Sequence, residues 1–215
     1  MLDIYETTSE QNIYITNNEL ETLEDFKGAV SAAFAYMKQL KPKQSIPKCG
    51  KHLTDYQYRW TMLIISLLEI HGHKTEANGN MEYLELMDAL HIKPTTIDKD
   101  AGYFKNVWGP IYWRFLHLTS ILCRTKYQKD LFATNMLNFN LCIICPECAS
   151  NFKKKEPFII MMIMSLSEDV VTPIYNLHNI VNDSLHRQQY SFEDFLTLYN
   201  IQVTDTKINT YRFIY

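Results

Sequence analysis

The sequence predicts an all-α protein, and three observations carry that prediction. Apolar residues recur at three- and four-residue steps in most segments. Helix start and stop signals bracket those segments. Six glycines and seven prolines in 215 residues leave few places for tight turns.

The elements follow in order. Residues 1–15 show only weak alternation. "NNELETLEDFKGAVSAAFAYMKQLKP" reads as a helix, with Asn18 and Glu21 as a capping box and Pro42 past its end. Its apolar row is Leu20, Leu23, Phe26, Val30, Phe34 and Met37. A second helix is capped by Thr54 and stopped near Gly72. Its Tyr56, Tyr58 and Trp60 read as core residues rather than partner contacts. "MEYLELMDALHI" is a third, closed by Pro94. The polar stretch "KPTTIDKDAG" follows, and a boundary is expected near residue 100. Residues 1–100 form a helical N-terminal region, and residues 101–215 a second domain.

The second half repeats the pattern. "VWGPIYWRFLHLTSILCR" is helical, and "QKDLFATNMLNFNLCIIC" carries a helix into a cysteine cluster. Pro146 can open a new helical turn. "PFIIMMIMSLS", "TPIYNLHNIVNDSLH" and "SFEDFLTLY" are further helices. Thr172–Pro173 and Ser191 with Asp194 are start signals.

Composition bounds the function. The chain is 47% hydrophobic and 21% charged, as globular proteins are. A net charge of −3, split as −5 over residues 1–100 and +2 beyond, points to neither nucleic acid nor an anionic membrane. The N-terminus has no signal-peptide or transit-peptide character. Phe158 to Leu166, the longest apolar stretch, is too short to span a bilayer.

Three of the five cysteines, Cys142, Cys145 and Cys148, stand together in "LCIICPECASNF". Such clustering favours a metal or redox site over a disulfide scaffold. The three thiols and His117 or His178 would suit zinc. Cys-x-x-Cys-x-x-Cys is also the start of an iron–sulfur run, with Cys49 or Cys123 too distant in sequence to complete it simply. The third option is a redox dithiol at Cys145 and Cys148. There a helix N-terminus would lower the thiol pKa.

Two more motifs bear on the choice. Gly109, Trp113, Leu116 and His117 form G-x-x-x-W-x-x-L-H, with Trp113 and His117 on one helix face. His178, Asn179, Val181 and Asn182 form H-N-x-V-N, and His178 shares a face with Asn182. A ring, an amide and an apolar contact together suit a planar heterocycle. Each motif alone is more often core packing or polar surface.

Their order, W-x-x-x-H, then Cys-x-x-Cys, then H-N-x-V-N, resembles the ERV/ALR family of FAD-dependent sulfhydryl oxidases. The resemblance runs from about Trp108 to Tyr190. "CPECASNF" is similar to the family's C-x-x-C-A-x-x-F. "HNIVNDSLHRQQY" is similar to H-N-x-V-N-x-x-L-G-K-x-x-F, with Arg187 for Lys and Tyr190 for Phe.

The resemblance implies a four-helix bundle plus a short fifth helix, preceded here by the extra N-terminal region. It implies an FAD site lined by Trp113, His117, Cys148, His178, Asn179, Val181, Asn182, Arg187 and Tyr190, with Arg187 near the phosphates. Cys145 and Cys148 would be the catalytic pair. Cys145 would be the attacked sulfur, and Cys148 the one beside the flavin. Protein thiols would be the substrates, dioxygen the acceptor and hydrogen peroxide the product. A homodimer is implied as well.

Some family features are missing. Pro110 replaces an Arg, Ile143-Ile144 replaces Tyr-Pro, and no cysteine follows Cys148. Neither a structural disulfide after H-N-x-V-N nor a second Cys-x-x-Cys shuttle is present. Family members encoded by large DNA viruses often lack both, which implies a cytosolic or nuclear protein of a host cell or virion. Cys142 reads as a buried thiol, with a resolving disulfide as the other reading. Cys123 reads as core.

Overall fold

The computed structural model describes residues 3–7, 15–16, 19–40, 55–97, 104–167, 169–203 and 210–214. The expectations at Asn18, Pro42, Thr54 and Cys49, and for the side chains of Leu20 and Tyr56, fall outside what is described.

The fold is all-α. Helix α1 spans Glu19–Met37, α2 Asp55–Ile70, α3 Tyr83–Ala89, α4 Lys105–Leu122 and α5 Lys126–Leu137. Then come α6 (Pro146–Lys153), α7 (Pro157–Leu166), α8 (Val171–Ser184) and α9 (Phe192–Leu198). Two short antiparallel ribbons pair backbone near the chain's ends, Asp3–Thr7 with Thr210–Ile214 and Ile15–Thr16 with Gln202–Val203. The weak alternation of the first residues belongs to these.

One expectation needs correction. The helix before the cysteines does not run into them. It ends at Leu137, and a 3-10 turn at Phe139–Leu141 follows before α6. Thr125 and Gln128 cap the start of α5 reciprocally. Gln128 is fully buried, and its amide also donates to the Ser66 carbonyl of α2 at 3.1 Å.

The apolar row of α1 forms as its spacing requires. Leu23, Phe26, Val30, Phe34 and Met37 are all buried. Trp60 of α2 is 0% exposed, with its ring 5.0 Å from Phe115 of α4, 5.8 Å from Phe132 of α5 and 5.9 Å from Phe139. Phe34 meets Phe115 edge-on at 6.3 Å. Arg114 pairs with Asp25 across α4 and α1 at 2.9 Å. The N-terminal helices therefore pack on the second half, and both contribute to one hydrophobic core. Tyr58 departs from the core expectation. It is 40% exposed and lies over Gly79, where any Cβ would strike its ring.

Helices α4, α5, α7 and α8 pack side by side, α4 on α8, α5 on α7 and α7 on α8. Helix α8 ends in a Schellman turn. The Arg187 N–H donates to the Asn182 carbonyl and the His186 N–H to that of Asp183, both at 2.9 Å. This turn needs a left-handed residue, and His186 fills it at φ 53°. A side chain there is strained by about 1 kcal/mol relative to glycine. His186 is exposed, so His186→Gly should raise unfolding stability by about that amount. A urea midpoint that moves up at unchanged slope would show it. A midpoint that falls would mean the imidazole makes a stabilising contact.

Candidate active site

Cys145 is the N-cap of α6, and Pro146 takes the first helical position, where its missing N–H costs nothing. This places Cys145 and Cys148 one turn apart, with Cα atoms 5.2 Å from each other, and the two are joined as a disulfide. The Cys148 N–H donates to Cys145 Sγ at 3.2 Å. On reduction, that N–H and the helix N-terminus favour the thiolate at Cys145. Both sulfur-bearing side chains are half-buried against the core.

Three contacts hold this segment on the bundle. The Tyr112 hydroxyl donates to the Cys142 carbonyl at 2.6 Å. Phe152 of α6 meets Phe139 edge-on at 5.6 Å. Lys105, at the start of α4, pairs with Glu147, which lies between the two bonded cysteines, at 3.0 Å. Cys142 is fully buried, and burial pushes its thiol well above the usual range. The same holds for Cys123. Neither offers a thiolate near neutral pH. Among the described residues, no group of three or more His, Cys, Asp or Glu side chains is placed to hold a metal ion.

The second part of the site is a cluster of rings. Trp113 of α4 stacks on His178 of α8, with centroids 4.1 Å apart and planes 15° from parallel. His117, one turn after Trp113, lies 5.8 Å from it at 29° and 5.0 Å from His178. Tyr190 closes on His178 at 5.3 Å. The helical spacings of both motifs thus converge on one place.

His117 is 3% exposed. Burial, helped by His178, lowers its pKa to about 3. Burial, helped by Arg187, lowers that of His178 to about 4. Both rings are neutral near pH 7. In the unfolded chain they take up protons near pH 6.5. Between that value and the folded ones, the unfolded state binds more protons, so stability falls as pH falls. Each ring contributes at most about 1.4 kcal/mol per pH unit. Urea midpoints should therefore drop between pH 6.5 and 4.5. His178→Phe, which keeps a ring on Trp113, should flatten that drop, and an unchanged slope would contradict the assignment.

The remaining motif residues divide. Asn179 ties down the chain after α8. Its amide donates to the Tyr190 carbonyl at 2.9 Å, and its Oδ1 accepts from the Tyr190 N–H at 3.0 Å. Asn182 is buried, and Val181 is half-buried. Arg187 is exposed, within electrostatic reach of His178.

Sequence reasoning missed Lys105, Tyr112, Phe195 and Tyr199. The ring of Phe195 meets His117 edge-on at 5.0 Å, and the Tyr199 hydroxyl lies 2.8 Å from His117 Nδ1. The capping box at Ser191 and Asp194 places α9. No local signal says which way α9 turns.

A single row of α4 links the two parts. Lys105, Gly109, Trp113 and His117 repeat at four-residue spacing along one ridge. Lys105 meets the cysteine turn, and Trp113 lies about 12 Å further along the axis. Between them, a Cβ on Gly109 would meet nothing within 4 Å. The ridge is open there.

No protein-family model matches the chain, and no solved structure does. The chain is similar to "FAD-linked sulfhydryl oxidase" of African swine fever virus. It is 28% identical over 105 residues to the protein of a Warthog/Namibia isolate, covering 46% of this chain and 85% of the viral one. To the proteins of a Tick/Malawi and a Pig/Kenya isolate it is 27% identical over the same length, with the same coverage. The chain thus shares a distant likeness, over about half its length, with viral proteins of that name.

Proposed function

We propose that this chain is an FAD-dependent thiol oxidase that forms disulfide bonds in protein substrates. One observation carries the reading. A disulfide at a helix N-terminus is joined, through Lys105 and Glu147, to the same ridge of α4 that bears the stacked rings. The name and sequence likeness of the viral relatives support it.

The protein's own part is thiol–disulfide exchange. A substrate thiolate attacks Cys145 Sγ, forms a mixed disulfide there and releases Cys148 as a thiolate. A second substrate thiolate attacks the substrate's sulfur. The substrate disulfide leaves, and Cys145 is released as a thiolate beside the α6 N-terminus. The Cys145–Cys148 dithiol then holds two electrons. Bound FAD would supply the acceptor for those electrons, with dioxygen as the final oxidant and hydrogen peroxide as the product.

The residues present fit such a group. His117 Nε2 is buried without a partner, and Gly109 leaves the ridge open. Trp113, His117 and His178 offer neutral ring surfaces, and Cys148, Asn179, Val181, Asn182 and Tyr190 complete the set. Arg187 would provide the cation for phosphates. A homodimer in the cytosol or nucleus of a host cell, or in a virion, belongs to the same proposal. No described helix is long and apolar enough to cross a membrane.

Full-length protein purified from an FAD-replete host should show a flavin spectrum and consume oxygen when given dithiothreitol. Flavin-free protein that consumes none would refute the proposal. One equivalent of zinc or iron retained without flavin would favour the metal reading of Cys142, Cys145 and Cys148.

A further inference from the structure

His117 is the most enclosed polar ring of the site, and its two nitrogens are unequal. Nδ1 has the Tyr199 hydroxyl at 2.8 Å. Nε2 is buried and has no partner. The ring is boxed in by Trp113 and His178, by Phe195 edge-on and by Tyr199 itself, edge-on at 5.4 Å. A buried nitrogen left unpaired costs about 1–3 kcal/mol. The cost is recovered if a ligand supplies the missing partner.

Which partner fits depends on where the imidazole proton sits. A neutral imidazole nitrogen is a better acceptor than a phenol oxygen, and a phenol is a good donor. Tyr199 therefore donates to Nδ1, and the proton of the neutral ring resides on Nε2. Tyr199 is placed to do this by α9. The capping box at Ser191 starts that helix, and Phe195 anchors it as a buried residue. Tyr199 is the C-cap of α9, and Asn200 at φ 49° turns the chain away behind it.

We propose that Tyr199 is a positioning residue. Its hydroxyl bonds to His117 Nδ1, holds that ring in the Nε2–H form, and so presents a buried donor to an acceptor atom at the edge of a flat cofactor. The inference rests on the flavin reading for the cofactor's identity, but not for the state of the ring. Tyr199 lies beyond the stretch whose motifs resemble known oxidases, so its role comes from the geometry alone.

The test has two arms. In the first, long-range proton–nitrogen NMR on the full chain without added flavin reads the His117 tautomer. One form, protonated at Nε2, is expected. In Tyr199→Phe, which keeps the ring and removes only the hydroxyl, a mixture of the two forms should replace it. Wild-type His117 protonated at Nδ1, or a Tyr199→Phe ring unchanged from wild type, would overturn the proposal. The wild-type spectrum alone decides this if the variant does not fold. In the second arm, FAD itself is titrated. Tyr199→Phe should bind it roughly two- to threefold more weakly, in proportion to the fraction of rings that leave the Nε2–H form. Equal affinity would overturn the link between the tautomer and binding. If wild-type chain binds no FAD while the tautomer behaves as expected, the flavin reading fails and the positioning of His117 stands.

Discussion

Replacing either cysteine of the disulfide, as Cys145→Ser or Cys148→Ser, is expected to lower oxygen consumption with dithiothreitol by three orders of magnitude or more, about 4 kcal/mol of barrier. The reason is the electron count. Two electrons leave the substrate as its disulfide forms, and only the Cys145–Cys148 disulfide can take both. The two variants should differ in one respect. Cys148→Ser keeps Cys145 at the N-cap of α6, where the backbone N–H of residue 148 meets its sulfur. Given an aromatic disulfide, it should retain a mixed disulfide at Cys145, readable by mass spectrometry. Cys142→Ala should keep near-normal turnover, because its thiol is fully buried and pushed to high pKa. Full activity in Cys145→Ser, or loss of activity only in Cys142→Ala, would defeat this assignment of the pair.

Trp60→Ala is expected to destabilise the whole chain by about 3–5 kcal/mol. Domains of this kind are stable by about 5–15 kcal/mol, so the change removes a large share. Trp60 comes from the N-terminal region, yet its three ring contacts, with Phe115, Phe132 and Phe139, all lie beyond residue 104. Its indole also lies beside the buried thiol of Cys142. Emptying that position leaves a cavity beneath the turn that leads to the disulfide. Urea unfolding followed by circular dichroism should show one cooperative transition, shifted down as a unit. A loss below about 1 kcal/mol, or a first transition confined to residues before 100, would mean that the two regions do not share a core in solution.

The two expectations mark what could be read without coordinates. Helix positions were legible because the periodicity is local: Leu23, Phe26, Val30, Phe34 and Met37 fall on one face of any helix. So was the meeting of Trp113 with His117, since residues four apart in a helix are neighbours by geometry; for Cys145 and Cys148 the spacing allowed a pair but equally a metal site. The end of α5 was not legible. Leu137, Phe139 and Leu141 continue an apolar pattern through Asn138, where the chain tightens into a 3-10 turn before the cysteines. Propensity differences at such an ending are small beside the packing of Phe139 on Trp60, Tyr112 and Phe152.

The same division runs through the site. By itself the sequence determined the side chains on offer: a Cys-x-x-Cys at a helix start and two ring-bearing motifs. Tertiary structure alone decided which long-range partners complete it. His178 comes to Trp113 from 65 positions away, and Lys105 reaches across to Glu147. Tyr199 reaches His117 from a separation of 82 residues. The physical reason is that side-chain identity and helical period are written locally. The choice of which faces meet comes from burying every apolar face at once, a sum over the whole chain. "LCIICPECASNF" by itself leaves a metal site, a cluster and a dithiol open. Its placement on the ridge of α4, with Cys142 sealed beneath it, exists only in the packed molecule.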